Sequence, residues 1–527
     1  MKNKFLKILL FSLTLCLSCG LVFYLIYSPK PSYEPNCLRI NLQAEPPSLD
    51  WSQAADSTSF DVICNIMCGL TQFNDQMEVI PCCAKSWDVS PNGKNITFHL
   101  NKNITWSDKQ PLTAHDFVFA FQHLLDPHTA SPYAYFLYSI VNAKEINTNK
   151  ITDFNKLGVS ASDNYTLQIS LSKPSAYFIY LTAFCPTYPL RKDLLNKYGA
   201  DWCKAGNLIT NGPFVLDSWE HEYKIILKAN EYYFEGKPKL AKIKMFMIPE
   251  QTTAFSLFSN NQLDYIDNRS LSTTDIELSK NSPFYHNYPL LRINYLGFNT
   301  KKWPLTIPKI RQAISLALNR NIFPKILRRK EIPTCAYLPQ ALSALPIPHT
   351  DCYNPKLARK LIQESKINLP ELNLLYPNRQ DARLACEAIQ DSLKTNLGLK
   401  VNLIAKEWKV YLYELRTNPP HLFRASWGAD YFDPQTFMDV FMSNNGNNYP
   451  QWSSQVYDNL VNEASQEMDK TKRAALYLQA LQILDKDESP ITPLYFATQN
   501  ILSKPWVHNL SFNALDLQFF KNVYIAK

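Results

Sequence analysis

The chain has 527 residues, too many for one ordinary hydrophobic core, so we expect two or three domains. Its 54 basic and 46 acidic residues give a formal charge of +8, but the basic residues form no stripe and no arginine-rich arm. Nucleic acid is therefore not an expected partner. The 29 Tyr and 29 Phe residues far outnumber the 12 Gly residues and can supply both cores and the walls of a ligand cleft.

The N-terminus predicts export from the cytoplasm. Several lysines precede an uncharged run at residues 8–27, long enough for a signal sequence or a membrane-spanning helix. Residues 17–20 resemble a lipobox in which Cys19 would be lipidated, although Cys16 stands where leucine is usual. An uncleaved anchor, a lipoprotein and a cleaved signal all stay open for residues 1–36. In each case we expect a periplasmic domain, tethered to the cell membrane unless the signal is cleaved.

Cysteine usage and missing motifs argue against metal chemistry and catalysis. The ten cysteines after the export segment permit disulfides in an oxidising compartment but fix no connectivity. They lack the spacing of a zinc site, and no histidine cluster lies near them. The glycines do not form dinucleotide-binding, phosphate-binding or nucleophile-elbow motifs. We therefore expect no enzyme, no cofactor and no metal.

Strands and helices are interspersed along the chain, which predicts α/β layers. Alternating apolar and polar residues predict strands at 38–42, 95–100 and 165–171. Apolar residues at helical spacing predict helices at 113–125, 310–329, 355–365, 380–396 and 471–486. Prolines and shifts of composition place domain boundaries near residues 189, 289 and 498.

Several segments, taken in order, resemble one protein family. They are residues 42–50 (LQAEPPSLD), 106–117 (WSDKQPLTAHDF), 211–214 (NGPF), 230–233 (NEYY), 311–320 (RQAISLALNR) and 504–524. Together they resemble the bacterial extracellular solute-binding proteins of peptide ABC transporters, most closely the periplasmic oligopeptide binders. Lys109 stands where the family signature usually has glycine. The resemblance covers nearly all of the exported chain.

The resemblance implies a two-lobed α/β periplasmic-binding-protein fold of type II with three domains. Domain I would be discontinuous, built from 37–68, 190–290 and 499–527. Residues 69–189 would form an inserted domain II, and 291–498 would form domain III. The lobes would close on a ligand about a hinge, and a monomer would deliver short peptides to the permease and ATPase subunits of an ABC importer.

The same resemblance implies a peptide site. A peptide enclosed by protein needs partners for its ammonium, its carboxylate and its main chain. Asp430 matches the family aspartate that grips the α-amino group, Arg424 matches an arginine that answers carboxylates, and Tyr133 matches a tyrosine lining the ligand backbone. A turn or N-cap aspartate and a surface salt bridge are the structural alternatives for Asp430 and Arg424, respectively. Trp408 and Trp427 resemble cleft-wall aromatics, for which core packing is the alternative. Lys302 and Arg416 would bind the carboxyl end of shorter peptides, and Gly428 and Ala429 complete the predicted ligand-binding set.

Two departures from the family pattern leave other readings open. Arg292 and Gly428 stand where the oligopeptide binders carry a disulfide, and Ala382 stands where a carboxylate-binding histidine is expected. Recognition of the carboxyl end and the preferred peptide length therefore stay open. A binder of dipeptides, nickel chelates or another small solute is one alternative, and an anchored surface protein in adhesion or chaperoning is the other.

Overall fold

The computed structural model describes residues 34–348, 352–443 and 445–526, so the predicted export segment with Cys19 lies outside the described residues. Within these ranges no helix combines the length and the apolar character needed to cross a membrane. The strands are β1 Cys37–Asn41, β2 Thr71–Phe73, β3 Val79–Pro81, β4 Ala84–Val89, β5 Asn95–Leu100, β6 Val159–Asp163, β7 Thr166–Ser170, β8 Phe214–Glu220, β9 Lys224–Ala229, β10 Lys242–Phe246, β11 Tyr265–Ile266, β12 Tyr285–Phe298, β13 Ile332–Pro333, β14 Leu372–Pro377, β15 Val401–Lys406, β16 Leu422–Gly428, β17 Ile491–Ser503, β18 Val507–His508 and β19 Tyr524–Ile525. The α-helices are α1 Ser57–Ile66, α2 Ala114–Leu125, α3 Ala143–Asn147, α4 Phe178–Leu181, α5 Lys192–Tyr198, α6 Gln251–Ser259, α7 Thr273–Ser279, α8 Pro308–Leu316, α9 Phe323–Leu327, α10 Pro355–Ser365, α11 Gln380–Leu397, α12 Trp408–Thr417, α13 Gln435–Met438, α14 Gln455–Gln466 and α15 Lys470–Gln482.

Local sequence explains many of these elements. In β5 the apolar residues Ile96, Phe98 and Leu100 are buried on one face, as the alternation predicts. Helix α2 begins after Thr113, whose backbone N–H donates to the Asp116 carboxylate at 2.8 Å. This satisfies one of the backbone donors that a helix start leaves unpaired.

One large mixed sheet joins the two halves of the molecule. Its order is β15-β14-β16-β12-β17-β11-β1-β10-β9-β8, with β13 on β17. The long strands β12 and β17 run antiparallel through its centre, and their register shifts between Pro289 and Ile293. On one side of the shift β17 pairs with β11, and on the other side β12 pairs with β16. The fold is thus two lobes that share two central strands.

The segment between α1 and α5 forms a smaller layer of its own. Its four-stranded antiparallel sheet has the order β4-β5-β7-β6, and the buried face of α2 packs against it. Phe117, Phe121 and Leu124 of α2 are fully buried there. This layer carries Tyr133 at the border with the other lobe.

The predicted helix at 310–329 is wrong, because the chain forms two helices there, α8 and α9. Arg320 is buried in the break, where its Nη1 donates to the carbonyls of Ser315 at 2.7 Å and Leu318 at 2.8 Å. Pro324 lacks a backbone N–H and opens α9, so it also prevents one continuous helix. The helix predicted at 471–486 is α-helical as far as Gln482 and continues as a π-helical turn over Ile483–Asp487.

Candidate functional site

Strand β16 has an open edge on the side away from β12. It pairs with β12 over its whole length, but β14 pairs with it only at Leu422 and Phe423. Ala429 N–H donates to the carbonyl of Leu291 at 2.8 Å, and antiparallel ladders alternate their bonds. The backbone groups of Ser426 and Gly428 therefore point away from β12. An extended chain can pair with these groups without its side chains being read.

Asp430 stands directly after this edge and has no cationic partner among the described residues. Its backbone N–H donates to the Thr436 hydroxyl at 3.1 Å, and that hydroxyl lies 3.5 Å from the Asp430 carboxylate. The residue is half-buried. Burial raises the pKa of its carboxyl to about 7, and the Thr436 hydroxyl only partly opposes this effect. A cation placed here would stabilise the ionised form.

Aromatic side chains of the smaller layer pack against Tyr431, the residue that follows Asp430. Burial raises the pKa of the Tyr133 and Tyr135 phenols, and the charge of Asp430 raises both further, which places these rings near the carboxyl. The Tyr431 ring stacks on Tyr177 with centroids 5.6 Å apart and 13° between the planes. This contact joins the smaller layer to the residue that follows Asp430.

A second carboxyl, Asp439, also lies in this enclosed region. Burial raises its pKa, and the charges of Asp430 and Asp433 raise it further. Asp439 has no ion pair with any residue in the part of the chain that the structure describes. Two nearby carboxyls that both resist ionisation make the region favourable for a positively charged group.

The Arg424 side chain extends from β16 into a hydrogen-bond network, and one of its N–H donors has no partner among the described residues. The side chain is buried, and its Nη2 lies 2.8 Å from Asn294 Oδ1, 3.0 Å from Tyr495 Oη and 3.4 Å from Asp381 Oδ2. Burial opposes ionisation of Asp381, but Arg424 and two other arginines outweigh it and lower the pKa of Asp381 to about 2. The Arg424 Nε is buried with no partner among the described residues.

This network lines a polar cavity of about 660 Å³ between the lobes. One wall comes from residues 43, 57, 58, 61, 249–252, 268, 269, 272, 290, 499 and 516, and the other from 292, 294, 327, 329, 331, 379–381, 424, 426, 495, 497 and 498. The charged residues that line it are Arg269, Arg292, Arg329, Arg379, Arg424, Asp61, Glu250, Glu331, Asp381 and Asp516. A cavity of this size and polarity suits a small polar ligand.

Two other candidates, Trp427 and Gly428, are the last two residues of β16. Trp427 Nε1 donates to the Thr436 carbonyl at 2.7 Å, so its ring is fixed beside Asp430. A Cβ on Gly428 would lie 3.2 Å from Arg292 Nε, so glycine leaves room for that side chain. Arg292 in turn reaches Asp516 at 3.9 Å. Where the oligopeptide binders carry a disulfide, this protein therefore has the Arg292 guanidinium beside the cavity.

Of the predicted site residues, Arg424 lines this cavity, whereas the other candidates, including Asp430 and Tyr133, are not among its lining residues. Trp408 is 51% exposed and stacks on Tyr411, whose hydroxyl donates to the Arg424 carbonyl at 2.7 Å. Lys302 Nζ donates to Asn418 Oδ1 at 3.0 Å, and Arg416 is exposed near the end of α12. Neither cation is among the residues lining the cavity.

Sequence reasoning missed Arg329, Asp381, Asp439 and Tyr495. Arg329 sits in a basic run with Arg328 and Lys330, and nothing in that run distinguishes the cavity-lining member. Asp381 adjoins the position of the missing family histidine, which is the one signal that could have drawn attention to it. Across the described ranges, no group of three or more His, Cys, Asp or Glu side chains is arranged to hold a metal ion.

Comparison with known proteins places the chain among binding proteins. The family model described as bacterial extracellular solute-binding proteins, family 5 Middle, matches residues 78–449. The oligopeptide-binding protein OppA of Bacillus subtilis is 31% identical over 513 residues, covering 94% of this chain and 94% of that protein. The Escherichia coli murein tripeptide binding protein MppA has a TM-score of 0.85 and 31% identity, covering 94% of this chain and 99% of that one. Haemophilus influenzae OppA in complex with RPPGFSPFR has a TM-score of 0.82 and 29% identity, covering 94% of this chain and 100% of that one.

Proposed function

Because the chain belongs to the bacterial extracellular solute-binding proteins of family 5, and so to a family of binding proteins rather than enzymes, we propose that it captures short peptides and passes them to an ABC importer. The named relatives include an oligopeptide binder, a murein tripeptide binder and a structure with a bound peptide. The proposal includes a monomer held at the cell membrane by its N-terminal segment.

The unpaired carboxyl of Asp430 is the observation that carries the proposal. Its pKa of about 7 reflects burial without a cationic partner among the described residues. A peptide α-ammonium would form a charge-assisted hydrogen bond there and remove the penalty of the buried charge. Asp430 thus binds the amino end of the ligand in this proposal.

The open edge of β16 supplies the next part of the ligand site. Backbone groups of Ser426 and Gly428 would pair with the main chain of an extended peptide that starts at Asp430. Main-chain pairing is independent of side-chain identity, so it favours tolerance for many sequences. Trp427 and Ala429 hold this edge in place through Thr436 and Leu291.

Arg424 is the proposed partner for a ligand carboxylate, because its side chain lines the cavity and its Nε has no partner among the described residues. Tyr133 is proposed to line the ligand backbone, since its ring lies near Asp430. Trp408 is proposed as a wall of the cleft next to Tyr411. For Lys302 and Arg416, the surroundings offer no support for the predicted role at the carboxyl end of shorter peptides.

We further propose that the lobes move about the two strands they share. The register of β12 and β17 shifts between Pro289 and Ile293, and few residues there need to change conformation for the cleft to open. This supports the division into a discontinuous domain I, an inserted domain II at 69–189 and a domain III at 291–498. The contacts of Tyr431 with Tyr177 and Phe136 would break on opening.

Mass spectrometry of ligand that co-purifies with the exported domain tests the proposed function. A mixture of short peptides is expected from the original protein, and Asp430→Asn protein should retain far less of it. Asp391→Asn is a matched control because Asp391 is exposed on α11. A single non-peptide solute, or no difference between the two variants, would refute peptide capture by Asp430.

A further inference from the structure

Three arginines surround one carboxylate at one end of the polar cavity. Asp381 lies 3.4 Å from Arg424 Nη2 and 3.1 Å from Arg379 Nε, and the charge of Arg329 also lowers its pKa. Glu331 is the next carboxyl, and its Oε2 accepts the Arg329 backbone N–H at 3.1 Å. Three guanidiniums thus face two carboxyls, and burial raises the pKa of Glu331. We call Arg329, Arg379 and Arg424 the cationic wall.

The cationic wall also has hydrogen-bond donors that lack an acceptor among the described residues. The Nε atoms of Arg329 and Arg424 are both buried without a partner in the described part of the chain. A buried N–H without an acceptor is unfavourable, and a ligand oxygen would satisfy it. Guanidinium groups match carboxylates in geometry as well as in charge.

The opposite wall has the reverse balance of charge. Arg269 is fully engaged there, with Asp61 at 2.6 Å and Asp267 at 2.5 Å. Burial raises the pKa of Asp61 to about 7 although Arg269 opposes this effect. Extended anions would be repelled by that wall, whereas a neutral peptide main chain with one carboxylate side chain would suit both walls.

We propose that the cationic wall binds the side-chain carboxylate of an aspartate or glutamate in the bound peptide, so that the protein favours acidic peptides. This inference rests on the proposed function. A peptide that starts at Asp430 and follows β16 passes Ser426 and then Arg424. At about 3.3 Å per residue, the wall then lies opposite about the third to fifth ligand residues.

Calorimetry with two tetrapeptides tests this inference at pH 7.5. Ala-Ala-Glu-Ala and Ala-Ala-Gln-Ala have nearly the same shape and differ in one charge. We expect the glutamate peptide to bind about tenfold more tightly to the original protein. Arg329→Gln should reduce that ratio to about twofold or less, while exposed Arg328→Gln leaves it unchanged. Arg379→Gln is a second variant, with a side chain exposed enough that folding should be unaffected.

The outcomes separate this inference from the proposed function. Equal affinity of the two peptides for the original protein would overturn the acidic subsite and leave peptide capture intact. An undiminished preference in both the Arg329 and the Arg379 variants would also overturn it. If neither peptide binds while the protein is folded, the proposed function itself fails.

A separate observation concerns two buried thiols on neighbouring elements. Cys64 of α1 and Cys185 of the short 3₁₀ turn Cys185–Thr187 have their Sγ atoms 3.0 Å apart. Cys64 also lines a second cavity, of about 720 Å³, together with Cys68 and Cys82. The two sulfur atoms are therefore within about 1 Å of bonding distance, and Cys64 can be approached from a cavity.

We propose that Cys64 and Cys185 form a disulfide outside the cytoplasm. The two thiols give two protons and two electrons to the disulfide of a thiol–disulfide exchange partner, which leaves as two thiols. Extracellular compartments favour this reaction. Hydrogen bonding to Cys185 and burial raise the pKa of Cys64, so exchange should be slow at neutral pH. The bond would tether α1 to the end of the smaller layer.

Non-reducing peptide mapping after incubation with glutathione disulfide tests this second proposal. The expected product is a peptide pair joined through Cys64 and Cys185, with a rise in Tm that Cys64→Ser abolishes. Cys386→Ser is the matched control, because Cys386 is also a buried free cysteine. This change in α11 should leave both the product and the Tm rise intact. Free Cys64 after prolonged oxidation, or Cys64 joined to Cys68 or Cys82 instead, would overturn it.

Discussion

The pH dependence of peptide binding follows from the raised pKa of Asp430. Burial raises this pKa to about 7 in the ligand-free protein, so most of the carboxyl is protonated at pH 5.5. A peptide ammonium pairs only with the ionised carboxylate. With a peptide α-amino pKa near 8, affinity for Ala-Ala-Ala should peak near pH 7.5 and be about 20-fold weaker at pH 5.5.

Calorimetry between pH 5.5 and 8.5 measures this profile directly. Binding below pH 7 should also release close to one proton, which appears as a dependence of the heat on the ionisation enthalpy of the buffer. Asp430→Asn should bind more weakly and lose the slope below pH 7. Asp391→Asn, a change at an exposed residue, should keep both the affinity and the slope.

Two results would refute this reasoning. One is a flat affinity of the original protein between pH 5.5 and pH 7.5. The other is the same slope in the Asp430→Asn variant, because the titrating group would then be elsewhere. Asp439 would be the next group to test, since its pKa is also raised by burial.

Three further predictions concern stability and are measured by urea unfolding of ligand-free protein. Because folding raises the pKa of Asp430 from 3.8 to about 7, its ionisation destabilises the folded protein as pH rises through that window. Asp430→Asn should therefore raise the free energy of unfolding at pH 8 by on the order of 1–3 kcal/mol, and by much less at pH 4.5; a decrease at pH 8 would contradict this. Gly297→Ala would overlap the buried Phe423 ring and should destabilise by about 1–3 kcal/mol, whereas Gly446→Ala, with open space around it, should be neutral. Arg473→Gln breaks a buried pair with Asp433 and should destabilise by about 3–5 kcal/mol, against little change for exposed Lys470→Gln; equal stabilities would contradict the pairing.

The sequence predicted local elements and family well. The strand expected at 95–100 matches β5, and the helix expected at 355–365 matches α10. These elements have regular apolar spacing and clear start signals, such as the Asn354 side chain that caps α10. The predicted family, the binding rather than catalytic role and the two-lobed α/β class are confirmed by the matches to known proteins.

The break in the predicted helix at 310–329 could not be anticipated from spacing alone. The apolar period continues through it, but buried Arg320 also donates to the carbonyl of Pro493, far away in the chain. Competition between a helix and such a distant partner becomes visible only in the folded chain. The same limit applies to the sheet, whose central strands β12 and β17 come from residues about 200 positions apart.

The candidate site shows the same division. Asp430 and Arg424 came from resemblance to a family, and their roles stay predictions. The cationic wall joins Arg329, Arg379 and Arg424 across nearly 100 positions, so no local motif marks it. The raised pKa of Asp430 likewise depends on the burial that the folded chain creates around it.

The most direct test of peptide capture by the amino end compares Ala-Ala-Ala with its N-acetylated form by calorimetry at pH 7.5. Acetylation removes the ammonium and leaves Asp430 without a cationic partner. A lost charge-assisted hydrogen bond of about 1.5–3 kcal/mol predicts at least tenfold weaker binding of the acetylated peptide. Asp430→Asn should bind the two forms almost equally. Equal affinity of both peptides for the original protein would contradict the central claim.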